Sequence, residues 1–160
     1  MSENDTRRLR DGLGKFATGV TVVTCPGSAG PCGITANSFS SVSLEPPLIS
    51  WNIAKVSRSL HAFLDAEHFA VNVLASNQEP LSVHFAQAKR PAFDDVAHEM
   101  SSSGVPLLAG TLACFECRTC EIHDCGDHHI IIGEVQDYRF NGGEPLLFFS
   151  GRYTTTADQG

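Results

Sequence analysis

Residues 113–129, ACFECRTCEIHDCGDHH, place four cysteines and three histidines in seventeen positions, and the reading of this run decides the fold. As a loop, Cys114-x2-Cys117-x2-Cys120-x4-Cys125 comes close to the spacing of an iron–sulfur cluster run, and His123, His128 and His129 would equally suit zinc. A chain that wraps a metal must turn, yet 112–122, LACFECRTCEI, has neither glycine nor proline. Extended, it alternates its side chains, so residues three apart point to opposite faces. Cys114 and Cys120 then share one face with Glu116 and Arg118, while Cys117 lies on the other with Phe115 and Thr119. The thiols are spread over two faces and no metal is expected. The run becomes half of a long hairpin that reverses at Gly126-Asp127.

Strands are therefore expected over about 111–123 and 129–140, followed by the turn NGGEP and a last strand, LLFFSGRY. Upstream, GVTVVTC (19–25) alternates and is rich in β-branched residues, PGSAGP is turn material, and CGITANSFSSVSL (32–44) is again extended. That makes a hairpin with a long tip, and its flanking Cys25 and Cys32 read as small strand residues. After Pro46-Pro47 comes the strand LISWNI. Ser57 to Phe69 reads as a short helix, HFAVNVLA (68–75) as a strand, and Ser76-Asn-Gln-Glu79 as a capping box opening a helix through Phe85. At the N-terminus, Leu9, Leu13, Phe16 and Ala17 fall on one face of a helix from Thr6 to Ala17, which is expected to pack on the sheet. Residues 89–104 read as a polar surface excursion. Around seven strands joined by short turns, with three short helices, imply a mainly β, antiparallel barrel with peripheral helices. The 160 residues suit a single domain with its core over about 10–155.

With 42% hydrophobic and 18% charged residues, the composition is that of a folded protein and not of a disordered acidic chain. A formal charge of -7 argues against nucleic acid or anionic membrane as a partner. The terminus MSENDTRRLR carries charges where a signal peptide needs an apolar run, and no later run approaches the ~20 residues of a membrane span. The expected location is the cytoplasm, where the six cysteines are better read as thiols than as disulfides. Gly12-Leu-Gly14 sits in an amphipathic helix without a preceding strand, so it is no dinucleotide fingerprint, and no phosphate loop, HExxH or G-x-S-x-G occurs. Of the seven histidines, His128 stands apart because it follows a tight turn whose tip can project over a cleft.

Gly33 to Leu48, GITANSFSSVSLEPPL, is polar at many positions yet bounded by strands. Such an edge of amides and hydroxyls suits a planar polar ring carrying a sugar alcohol. Next, 50–59, SWNIAKVSRS, sets Lys55 and Arg58 beside Ser57 and Ser59 at a helix start, a plausible phosphate seat. With FATGVTVVT, K-x-S-x-S, FAVNVLA followed by HFA, GDH before GEV, and PLLFFSGRY, these stretches resemble the flavin reductase family from about Phe16 to Tyr153.

The resemblance implies an FMN-binding split barrel of Greek-key type, a homodimer, that reduces FMN or FAD with NADH or NADPH and supplies a partner monooxygenase. By that similarity Thr35, Ala36, Asn37 and Ser38 would line the isoalloxazine and ribityl chain. Ser50, Trp51, Asn52, Ser57 and Arg58 would sit toward the phosphate, and Phe85 would close the pocket. His128 would meet the nicotinamide nucleotide, and Tyr153 would contribute to the same cleft. The cysteine run departs from the family pattern. Rival readings are an FMN-binding electron-transfer flavoprotein without nicotinamide turnover and a cysteine-ligated metal protein.

Overall fold

The computed structural model describes residues 1–87 and 93–156. Its centre is the expected hairpin. β9 (Ala113–Cys125) and β10 (His128–Phe140) pair antiparallel, with Cys125 opposite His128 across the two-residue turn at Gly126-Asp127. Gly126 has φ 62°, which a glycine adopts without steric cost. β10 also pairs with β5 (Pro47–Ala54), which pairs with β4 (Ser40–Leu44). On its other edge β9 pairs with β6 (His68–Val73), followed by β2 (Thr21–Cys25) and β3 (Cys32–Ala36). The result is a seven-stranded, wholly antiparallel sheet in the order β3-β2-β6-β9-β10-β5-β4. Among the described residues no ladder joins β3 to β4, so the sheet is not closed into a barrel by backbone pairing.

One face of the sheet carries the main core: Trp51, Ile53, Phe63, Phe69, Val71, Cys117 and Ile131, with Cys25 and Cys32 beside them. Trp51 meets Phe63 edge-on at 4.9 Å. Opposite Ile132 and Gly133 of β10 the partner strand bulges, because Glu121 and Thr119 of β9 pair with them and Cys120 between is left out of the ladder. A Cβ on Gly133 would lie 2.4 Å from a Phe69 ring carbon, so only glycine lets β10 approach that ring. The other face of β2 and β6 is covered too, which is why all five residues of β2 are buried. Val20, Val22, Leu74, Phe85, Leu108 and Leu146 form a second core there. Cys114 joins Ala70, Val105 and Leu107 in a third. Buried Asn72 serves these layers, donating to the Val22 carbonyl at 3.0 Å and accepting the Leu108 amide at 2.9 Å.

Several boundaries differ from the sequence reading. α1 spans Glu3–Leu13 and buries no residue, so it does not pack on the sheet as its periodicity implied; Leu9, Leu13 and Phe16 are exposed. α2 is confined to Leu60–Asp65. The expected capping box at Ser76 is replaced by a 3-10 turn, Ser76–Gln78, in which the Gln78 side chain accepts the Ala75 amide, before α3 (Glu79–Phe85). Two short strands, β7 (His98–Met100) and β8 (Pro106–Leu108), pair beside the region read as a polar excursion, whose residues 89–92 lie outside those described. LLFFSGRY is two strands, β11 (Leu147–Phe149) and β12 (Arg152–Thr154), because Ser150 (φ 49°) and Gly151 (φ 77°) reverse the chain. They form a separate small sheet with β1 (Thr18–Gly19).

Candidate active site

β5 turns Ile49, Trp51 and Ile53 into the core and Ser50 and Asn52 away from it. Opposed residues of an antiparallel ladder share a face. The pairings Ser50↔Ile132, Asn52↔Ile130 and Ala54↔His128 therefore set His128 and two isoleucines beside the serine and asparagine. Ser40 flanks Ser50 from β4. Ser38, between β3 and β4, is fastened to this surface, its Oγ accepting the Asn52 amide at 2.9 Å. Apolar plates thus alternate with hydroxyls and an amide, a chemistry that fits a ring with polar edges and a polyol tail. Trp51 is a correction. It is fully buried, so its side chain faces the core and lines no cleft, and its Nε1 has no partner among the described residues.

At the near end of the surface, His128 Nδ1 lies 2.7 Å from Asp127 Oδ1, and the Asp127 carbonyl accepts the Lys55 amide at 2.9 Å. The hydrogen bond from His128 holds the Asp127 carboxyl below the usual carboxylate range. His129 points the other way, with its Nδ1 buried. Lys55 is committed to Asp124 at 2.6 Å, which likewise lowers the Asp124 carboxyl. Ser57 accepts the Ser59 amide, while Arg58 faces a pocket of about 470 Å³ shared with His61, Asp65 and the turn at Gly27-Ser28. The basic pair expected at 55–59 is therefore divided: Lys55 belongs to the hairpin and Arg58 to the pocket beside α2.

The remaining candidates gather around α3. Thr35 Oγ1 donates to the Ser82 carbonyl at 2.6 Å, and Ser82 Oγ lies 2.8 Å from the Tyr153 hydroxyl. Phe85, expected to close the pocket, is instead buried in the second core, its ring against Gly33, where a Cβ would come within 2.7 Å. Ala36 packs partly into the main core and its carbonyl accepts Thr21 Oγ1, leaving Asn37 exposed.

The sequence profile described as a Flavin reductase like domain matches residues 13–157. The chain belongs to the flavin reductase family. It is 50% identical over 149 residues to the FMN reductase (NADH) SmoA of Agrobacterium fabrum, covering 93% of this chain and 85% of that one. It is 44% identical to the reductase component of the flavin-dependent trigonelline monooxygenase of Acinetobacter baylyi, covering 98% of this chain but only 52% of that one. The NADH:FAD oxidoreductase SgcE6 of Streptomyces globisporus C-1027, solved with NAD and FAD fragments, superposes with a TM-score of 0.92 at 40% identity. That match covers 99% of this chain and 97% of the other.

For a flavin reductase the cysteine run has no evident task. Cys114 and Cys117 fall in different cores, as strand alternation requires, and burial raises their thiols to about 11 and about 12. Cys120 and Cys125 are exposed on the hairpin. Among the described residues no group of three or more His, Cys, Asp or Glu is placed to hold a metal ion. Nor is any described helix long and apolar enough to cross a membrane. Ser82, which joins Thr35 to Tyr153, was missed by the sequence reading. Its one signal is a polar residue on the inward stripe of an amphipathic helix, three positions before Phe85.

Proposed function

We propose that this protein reduces free FMN or FAD with NADH or NADPH and passes the reduced flavin to a partner monooxygenase. The observation that carries the reading is the surface of Ser38, Ser50, Asn52, Ile130 and Ile132 with His128 at its end. Bound flavin supplies the hydride acceptor. The chain's own work is to hold and align. Ala36, Asn37, Ser38, Ser50 and Asn52 contact the ring and ribityl chain, and Ser57 and Arg58 lie toward the phosphate. With Nδ1 engaged by Asp127, His128 keeps Nε2 for the nicotinamide nucleotide and excludes water beside it.

Relatives named as reductase components or subunits of flavin-dependent monooxygenases support the partner, the trigonelline enzyme of Acinetobacter baylyi and HsaB of Mycobacterium tuberculosis among them. The Ser38 to Asn52 bond, which draws the β3 edge toward β5, supports a single split-barrel domain. We further read the protein as a cytoplasmic homodimer. The test is nucleotide oxidation followed at 340 nm with each pairing of NADH or NADPH with FMN or FAD. Turnover that requires free flavin is expected, and its absence in all four pairings refutes the activity.

A further inference from the structure

The flavin-facing segment Thr35–Ser38 is fastened at both ends by side-chain hydrogen bonds. At Ser38 the anchor is Asn52 of β5. At Thr35 it is the Ser82 carbonyl, which also accepts the Ala86 amide at 3.0 Å. The ladder to Val22 of β2 holds the Thr35 backbone, and the position of α3 fixes its side chain. α3 has only seven residues, too short to hold its place by its own backbone bonds. Phe85 and Leu81 seat it against the second core, and two contacts tie it toward β3 and β12. Phe85 rests on Gly33 of β3, and Ser82 Oγ meets the Tyr153 hydroxyl at 2.8 Å. Ser82 is completely buried, so this hydroxyl has no water to replace a lost partner. Tyr153 is fixed in turn by its ring, which stands edge-on to Phe148 at 5.3 Å in the neighbouring strand.

We infer that Ser82 and Tyr153 are a pair of positioning residues: the Tyr153 hydroxyl holds α3 through Ser82, and α3 holds the Thr35 side chain and with it the flavin-facing segment. Tyr153 then acts through Ser82 and not as a direct ligand of the nucleotide. The inference rests on the flavin-binding reading of residues 35–38. It separates two kinds of contact that a shared cleft would merge, because it links β12 to flavin affinity and leaves the nucleotide end at His128 untouched.

The experiment uses Tyr153→Phe, which keeps the ring on Phe148 and removes only the hydroxyl, together with Ser82→Ala and the double variant. Flavin affinity is read by titration of flavin fluorescence, and KM for flavin, KM for NADH and kcat by steady-state assay. Each single variant is expected to weaken flavin binding about 3- to 10-fold, the range of one neutral hydrogen bond, with kcat and KM for NADH within about twofold of wild type. The double variant is expected to be no weaker than the weaker single one, since either change breaks the same link. Unchanged flavin affinity in Tyr153→Phe overturns the inference. So does a double variant whose losses multiply, or a loss falling equally on flavin and NADH. The titration needs no turnover, so it decides the pair even if the activity itself fails its test.

Discussion

His128 and His129 occupy opposite faces of one strand, and that division makes neighbouring substitutions informative. His128 lies on the surface with Asn52 and is braced by Asp127, whereas the Nδ1 of His129 is buried on the core side. Loss of one hydrogen bond to the nucleotide corresponds to roughly 1–3 kcal/mol, so His128→Ala should lower kcat/KM for the nucleotide about 5- to 150-fold and leave flavin affinity unchanged. His129→Ala should lower the melting temperature while sparing that ratio. Equal kinetic losses in the two variants would remove His128 from the nucleotide site. The cysteines divide in the same manner. In the native protein an alkylating reagent should label Cys120 and Cys125 within minutes and the four buried thiols only after denaturation. Burial moves Cys114 and Cys117 from the ordinary thiol value of 9.0 up to about 11 and about 12. Unfolded thiols therefore lose their protons first as pH rises. Their contribution to stability is complete below pH 9 and fades toward pH 12, and urea midpoints at pH 8 and 10 should fall in that order.

Among the elements, the β9–β10 hairpin was legible because a run of Phe, Thr, Ile and Cys uninterrupted by glycine or proline favours a strand, and the break at Gly126-Asp127 has turn chemistry. The alternation of LISWNI was equally legible, but treating 50–52 as one binding unit carried Trp51 outward with its neighbours, although a period of two sends it inward. Periodicity marked the apolar stripe of α1 correctly and says nothing of what covers it, hence the exposed Leu13 and Phe16. The link from Ser82 to Tyr153 spans 71 positions, and no local pattern announces a pairing of that range. The bulge at Cys120 of β9 was also invisible, since the glycine opposite it, Gly133, reflects Phe69 on another strand. Gly133→Ala drives a methyl group to 2.4 Å from that ring and should cost about 1–3 kcal/mol of stability. Adding Phe69→Leu, which removes the opposing ring edge, should return part of the loss in chemical denaturation. A double variant less stable than the sum of both changes would mean that the glycine serves the backbone of the bulge and not the contact.

At the scale of the molecule, apolar side chains lie outside every core. Leu13 is 66% and Phe16 79% exposed, and Phe149 adds 43%. These residues are near one another because the Ser150 amide donates to the Gly14 carbonyl at 2.8 Å and Lys15 Nζ stands 5.9 Å from the Phe149 ring centre. A chain carrying a net charge of -7 gains solubility from repulsion between copies, so the retention of such a patch calls for a cover that outweighs it. In the proposed homodimer a second copy would supply one, because a self-complementary patch buries itself. Light scattering at micromolar concentration should give twice the chain mass. Leu13→Asp with Phe16→Asp places four like charges across the two-fold contact and should shift the protein to monomer by at least tenfold in dissociation constant, while α1, which buries nothing against its own chain, leaves the melting of the sheet unchanged. Wild-type protein with the mass of one chain would refute the dimer. A dimer indifferent to both substitutions would move the interface from α1 to the β4 edge, where Leu44 is 93% exposed.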